Sequence, residues 1–170
     1  MATLLLVRHA KAAVGDDDSE RPLTLRGFRD ASAIGDWLAE LGLVPDCAVV
    51  SPARRAMQTW ERAAAALAAS GAGVADAVVD ERIYDNTAQS LLAVILSAPP
   101  PAQVLALVGH NPSMERLTRL LDDGAGDPAA ARALADGYPT SGVAVFAVPG
   151  VIAGLSPGSA RLTHFHAPRG

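Results

Sequence analysis

Three short segments hold the residues with the most to offer chemically: Arg8-His9, Arg54-Arg55 and His110. Arginine presents a planar fork of hydrogen-bond donors, and a neutral imidazole presents a nitrogen lone pair, so together they suit an anionic substrate. Taken singly, each segment reads equally well as a surface arginine or a histidine satisfied by the core. What decides between these readings is whether the folded chain brings the three together.

Each segment lies where an apolar run stops. Leu4-Leu5-Leu6-Val7 has the continuous hydrophobicity of a strand buried on both faces, and it ends abruptly at Arg8-His9. Cys47 to Val50 is a second such run, followed at once by Ser51-Pro52. Serine is a favoured helix cap and proline a favoured first helical residue, so a helix is expected from Pro52 to about Ala69. Arg54 and Arg55 then fall in its first turn, where cations oppose the helix dipole. Either an anion held by arginine and helix amides offsets that cost, or the pair points outward into solvent. Val104 to Val108 is a further strand, ending in Gly109-His110-Asn111-Pro112, with Asn111 as cap and Pro112 as first helical residue. Ligand sites in open α/β sheets lie at such carboxyl ends of strands.

The elements between complete an alternating pattern. Thr24 caps a helix to about Leu41, with Phe28, Ala31, Ile34, Leu38 and Leu41 on one apolar face and Trp37 packed beside it. Gly42 and Pro45 end that helix. Val74 to Val79 reads as a strand, Asp80 to Asn86 as a loop, and Thr87 to about Ser97 as a capped helix. Pro99-Pro100-Pro101 is a stiff connector. Met114 to Leu121 and Ala129 to Ala135 read as helices, Tyr138 to Gly142 as a turn, and Val143 to Val148 as a strand. In the last strand, Ala160 to His166, strict alternation puts Leu162, His164 and His166 on one face and Arg161, Thr163 and Phe165 on the other. His164 and His166 read as solvent-facing edge residues, since two ligands without a third are weak grounds for a metal. The acidic run Asp16-Asp17-Asp18 reads as a solvated loop. The pattern implies an α/β protein: a three-layer sandwich with a mostly parallel central sheet flanked by helices, forming one domain over residues 1–170.

Composition narrows the setting. The 170 residues carry a formal net charge of −4, which gives no electrostatic reason to expect nucleic acid or an anionic membrane as partner. No apolar run approaches the ~20 residues of a membrane span. Aromatic residues make up only 4%, so the core must be built mainly from Ala, Val and Leu. Cys47 is the one cysteine and reads as a small buried hydrophobe. The N-terminus runs into a strand without a basic stretch and cleavage site, so a cytoplasmic protein is expected. No glycine-rich phosphate loop of the nucleotide-binding kinds follows any strand.

Four segments together resemble the histidine phosphatase superfamily, and within it the small SixA-like phosphohistidine phosphatases. They are Val7-Arg8-His9-Ala10-Lys11, Arg21-Pro22-Leu23-Thr24-Leu25-Arg26-Gly27, Ser51-Pro52-Ala53-Arg54-Arg55-Ala56-Met57-Gln58-Thr59 and Val108-Gly109-His110-Asn111-Pro112. The resemblance implies the phosphoglycerate-mutase-like fold, with His9 as a nucleophile that takes the phosphoryl group. It implies Arg8, Arg55 and His110 as the rest of the phosphate pocket, selects Arg55 over Arg54, and implies no metal and no other cofactor. Ala10 departs from the glycine of many members, a change of one methyl group. Larger members supply an acid to protonate the leaving group. Glu81 and Asp85 stand in the matching stretch, and each reads equally as an ordinary loop carboxylate. The activity implied is hydrolysis through a phosphohistidine intermediate. Phosphohistidine on a protein is the first substrate class, and a small phosphorylated metabolite, handled by a phosphomonoesterase or mutase, is the alternative. A non-catalytic phosphate-binding module is the remaining reading. A chain this short leaves little room for a large insertion over the pocket, which suits a protein-borne phosphate.

Overall fold

The strand Ala2–Arg8 (β1) lies inside a six-stranded sheet in the computed structural model, which describes residues 1–99 and 102–170. The other strands are β2 (Cys47–Val50), β3 (Ala77–Val79), β4 (Val104–Gly109), β5 (Val143–Val148) and β6 (Arg161–His166), in the order β3-β2-β4-β1-β5-β6. From β3 to β1 all neighbours are parallel; β5 runs antiparallel to β1, and β6 antiparallel to β5. The sheet is therefore mixed rather than purely parallel. The reversal has a local cause: the 138–142 turn passes the carboxyl end of β1, where Arg8 N donates to Gly142 O and Ser141 N to His9 O. Starting there, β5 can only run back along β1.

Helices α1 (Leu25–Glu40) and α2 (Arg54–Ala69) cover one face, and α3 (Ala88–Leu96), α4 (Ser113–Leu121) and α5 (Pro128–Ala135) lie on the other side. The unbroken apolar run of β1 follows from this. Leu4 and Leu6 pack with Leu105, Leu107, Ile95 and Phe146, while Leu5 and Val7 pack with Ile34, Leu38, Trp60 and Leu67. Both faces of the strand are dry, as parallel strands between helix layers require. Thr24 caps α1 through Oγ1, which accepts from Gly27 N at 3.0 Å. Where α1 meets α2, a Cβ on Gly35 would fall 2.1 Å from Ala63 O, so glycine alone permits this approach.

Several boundaries differ from the sequence reading. The second helix begins at Arg54, with Ala53 at the cap position and no side-chain cap; Ser51, two residues earlier, accepts from Ala53 N at 3.3 Å and contacts His110. β3 is three exposed residues rather than six, a short edge strand of the kind that limits unwanted pairing. The expected 80–86 loop contains a 3-10 turn, Glu81–Asp85, anchored by buried Ile83. Pro112, not Asn111, occupies the cap position of α4, yet Asn111 Oδ1 still accepts from Glu115 N at 3.3 Å. In β6 a register shift pairs Val145 with His164 and Phe146 with Leu162, leaving Thr163 as the extra residue. Strict alternation fails there. Leu162 and Phe165 pack into the core beneath α3–α5, while His164 and His166 lean on Trp37, with ring centroids 6.3 and 5.4 Å away. Of the expected proline connector, Pro100 and Pro101 lie outside the described residues. Among the described residues no helix is long and apolar enough to cross a membrane.

Candidate active site

A cavity of about 540 Å³ opens at the carboxyl edge of the parallel strands, lined among others by Arg8, His9, Arg55 and His110. Each arrives by a different junction. Arg8 is the last residue of β1 and His9 the next; Arg55 is in the first turn of α2; His110 follows β4. Arg54 is exposed and outside this lining. Glu81 and Asp85 are also exposed and outside it; Asp85 Oδ2 accepts instead from Ser90 Oγ near the start of α3.

His9 is buried, and its Nδ1 lies 2.7 Å from Ala10 O. A carbonyl oxygen only accepts, so Nδ1 carries the hydrogen and Nε2 keeps the lone pair. Burial pushes the His9 pKa down to about 4, with Arg55, Arg8 and Arg21 adding to the fall and the Ala10 hydrogen bond opposing it. The ring is neutral in neutral solution. Ala10 is itself fixed: its N–H donates to Thr59 Oγ1 at 2.9 Å, and the Thr59 hydroxyl donates to Arg55 O at 2.6 Å. The turn after β1 and the first turn of α2 are thereby one unit.

His110 stands 5.3 Å from His9 between ring centroids. Its Nε2 lies 2.7 Å from Ser51 Oγ, and its buried Nδ1 has no hydrogen-bond partner among the described residues. Burial first, then His9, Arg55 and Arg8, pushes its pKa down to about 3, against an opposing pull from Asp18. Arg8 donates from Nη1 to Tyr138 O at 2.6 Å, which fixes the direction of its fork. Asn86 spans two junctions, donating to Asn111 O and accepting from Ser113 N.

Asp18 has a role the sequence reading did not assign. Asp16, Asp17 and Asp18 are all exposed, as expected of a solvated loop, and Asp18 in addition lines the cavity. Its Oδ2 accepts from Tyr84 Oη at 2.6 Å and Arg55 Nη2 at 3.1 Å, and its Oδ1 from Arg21 Nη1 at 3.0 Å. The Tyr84 hydrogen bond, then those from Arg21 and Arg55, hold its carboxyl well below the usual carboxylate range. Tyr84 stands edge-on to His110, with centroids 5.8 Å apart. Spacing along the chain hints only at the Asp18–Arg21 pair; Arg55 and Tyr84 are 37 and 66 residues away. Ser51 was likewise visible in sequence, but as a helix cap.

Arg8, Lys11, Arg21 and Arg55 face one carboxylate across this cavity, in a chain whose overall charge is −4. Such a local reversal of field draws anions to the cleft. Two neutral imidazoles and two forked cations around one space can bind a tetrahedral oxyanion and offer it a nitrogen nucleophile. No group of three or more His, Cys, Asp or Glu among the described residues gathers to hold a metal.

Comparison with known proteins agrees with that chemistry. Residues 4–86 match the histidine phosphatase superfamily (branch 1). The uncharacterized protein Rv1276c of Mycobacterium tuberculosis is 37% identical over 166 residues, covering 96% of this chain and all of its own length. The structure of the putative phosphohistidine phosphatase SixA of Agrobacterium tumefaciens is 33% identical, with a TM-score of 0.79 and 98% of each chain covered. That of its counterpart from Nakamurella multipartitia is 30% identical, with a TM-score of 0.81 over 98% of this chain and 96% of the other. The chain belongs to the histidine phosphatase superfamily, and its activity is that of a phosphatase. Within that superfamily its likeness is to the SixA-like branch.

Proposed function

We propose that the protein removes the phosphoryl group from phosphohistidine carried on another protein. One observation supports this substrate above others. Asp18 is the only carboxylate among the described residues lining the cavity, and it already accepts from Tyr84, Arg21 and Arg55. A carboxyl held below its usual range is ionised at neutral pH, and the Tyr84 proton is directed at it, so neither group is free to protonate a departing group. His110, with a pKa near 3, is neutral as well. An alkoxide leaving group benefits from a proton donor. The imidazole of phosphohistidine protonates on its own at roughly pH 6.5 and departs neutral.

In this reading His9 Nε2 attacks phosphorus, a new P–N bond forms to His9, and the P–N bond to the substrate imidazole breaks. Water then attacks the phosphorylated His9, releasing inorganic phosphate and restoring the ring. Arg8 and Arg55 neutralise the equatorial oxygens, where phosphoryl transfer concentrates charge. His110 contributes a hydrogen bond to the same group. The decisive experiment compares kcat/KM on a phosphohistidine peptide with a panel of sugar phosphates and other alkyl monoesters. The expected result is a strong preference for the phosphohistidine peptide; a preference for the sugar phosphates would sink the assignment and favour a small-metabolite phosphatase.

A further inference from the structure

We infer that Asp18 is a positioning residue that acts through Arg55, holding one edge of the guanidinium so that its other edge faces the phosphoryl group. The inference rests on the phosphoryl-binding role proposed for Arg55. Arg55 is buried, and two of its nitrogens are engaged by the same residue: Nη1 donates to Asp18 O at 2.6 Å, and Nη2 to Asp18 Oδ2 at 3.1 Å. A long side chain gripped at two points cannot swing, and its free N–H groups keep one orientation before an anion arrives. Binding then costs less ordering of that side chain.

Asp18 is itself held from outside. It begins the 3-10 turn Asp18–Glu20, where Asp17 caps by accepting from Ser19 N. Arg21 takes one carboxylate oxygen, and Tyr84 shares the other with Arg55. The Tyr84 contact joins the 12–21 loop to the 81–85 turn, so the grip on Arg55 is braced from both walls of the cavity. A carboxylate beside an anion site also repels the anion. The grip and the repulsion therefore oppose one another, and the test has to separate them.

Asp18→Ala and Asp18→Asn both remove the charge, but asparagine keeps one oxygen that can accept from Arg55. Phosphorus NMR titration with inorganic phosphate reads weak as well as tight binding and is independent of which phosphorylated substrate the protein prefers. Asp18→Ala is expected to bind phosphate about tenfold more weakly than Asp18→Asn, the scale of one long side chain left to order on binding. In an Arg55→Ala background that gap is expected to vanish, because the route it acts through is gone. Equal binding by the two Asp18 variants overturns the inference. A gap that persists without Arg55 overturns it too, since Asp18 would then only be holding the loop. Absence of phosphate binding by the unmodified protein overturns the pocket assignment itself, a different failure from either of these.

Discussion

Burial and the neighbouring guanidinium groups of Arg55, Arg8 and Arg21 bring the His9 pKa down to about 4, while Ala10 O claims the Nδ1 hydrogen. Both effects leave Nε2 unprotonated and available at neutral pH. Nitrogen-resolved NMR titration of His9 should therefore give a midpoint near pH 4 and the Nδ1–H form above it. A midpoint near the ordinary 6.5 would contradict this account of the site. The residues the structure gathers, Arg8, His9, Arg55 and His110, were legible because each sits where an apolar run gives way to polar chain. Asp18, Tyr84 and the inward-facing role of Ser51 were not. Their partners are 37, 66 and 59 residues away, and nothing local distinguishes the aspartate that reaches Arg55 from Asp16 and Asp17 beside it.

The elements meet through Thr59, fully buried on α2, whose hydroxyl accepts from Ala10 N and donates to Arg55 O. Thr59→Val keeps the shape and leaves the Ala10 N–H without that partner inside the protein. Loss of that pairing is expected to cost about 1–3 kcal/mol in urea unfolding. Thr59→Ser should recover most of it; a valine variant as stable as the original would contradict the link. At this scale the strands and long helices were readable from apolar periodicity, but their ends were not. Ser51-Pro52 has the composition of a helix start, yet the helix begins at Arg54, and Ser51 Oγ lies 2.7 Å from His110 while accepting from Ala53 N at 3.3 Å. The bulge at Thr163 is similarly invisible to strict alternation. It separates Leu162 from the two histidines and puts Phe165 on the same side as Leu162, where both pack into the core.

For the molecule as a whole, two buried histidines with lowered pKa values couple the site to stability. In the folded protein His9 and His110 stay neutral down to about pH 4 and 3, whereas in the unfolded chain both protonate near the ordinary value of 6.5. The unfolded state thus binds more protons below 6.5, and stability present above that pH is lost as pH falls toward 4. With both rings contributing, the slope approaches about 3 kcal/mol per pH unit. Urea midpoints measured from pH 7 to 4 check this. A flat profile, with no proton uptake on unfolding, would mean the rings are not neutral inside. The overall architecture was legible in the alternation of strands and helices. The reversal of β5 was not, because it depends on where the 138–142 turn meets the end of β1.

The central claim is that a phosphoryl group passes through His9. Incubation with a radiolabelled phosphohistidine peptide, rapid quenching at alkaline pH and mapping of the modified residue tests it directly. The account predicts acid-labile label on His9, absent in His9→Ala. Label on any other residue, or label that survives in the His9→Ala protein, would contradict it.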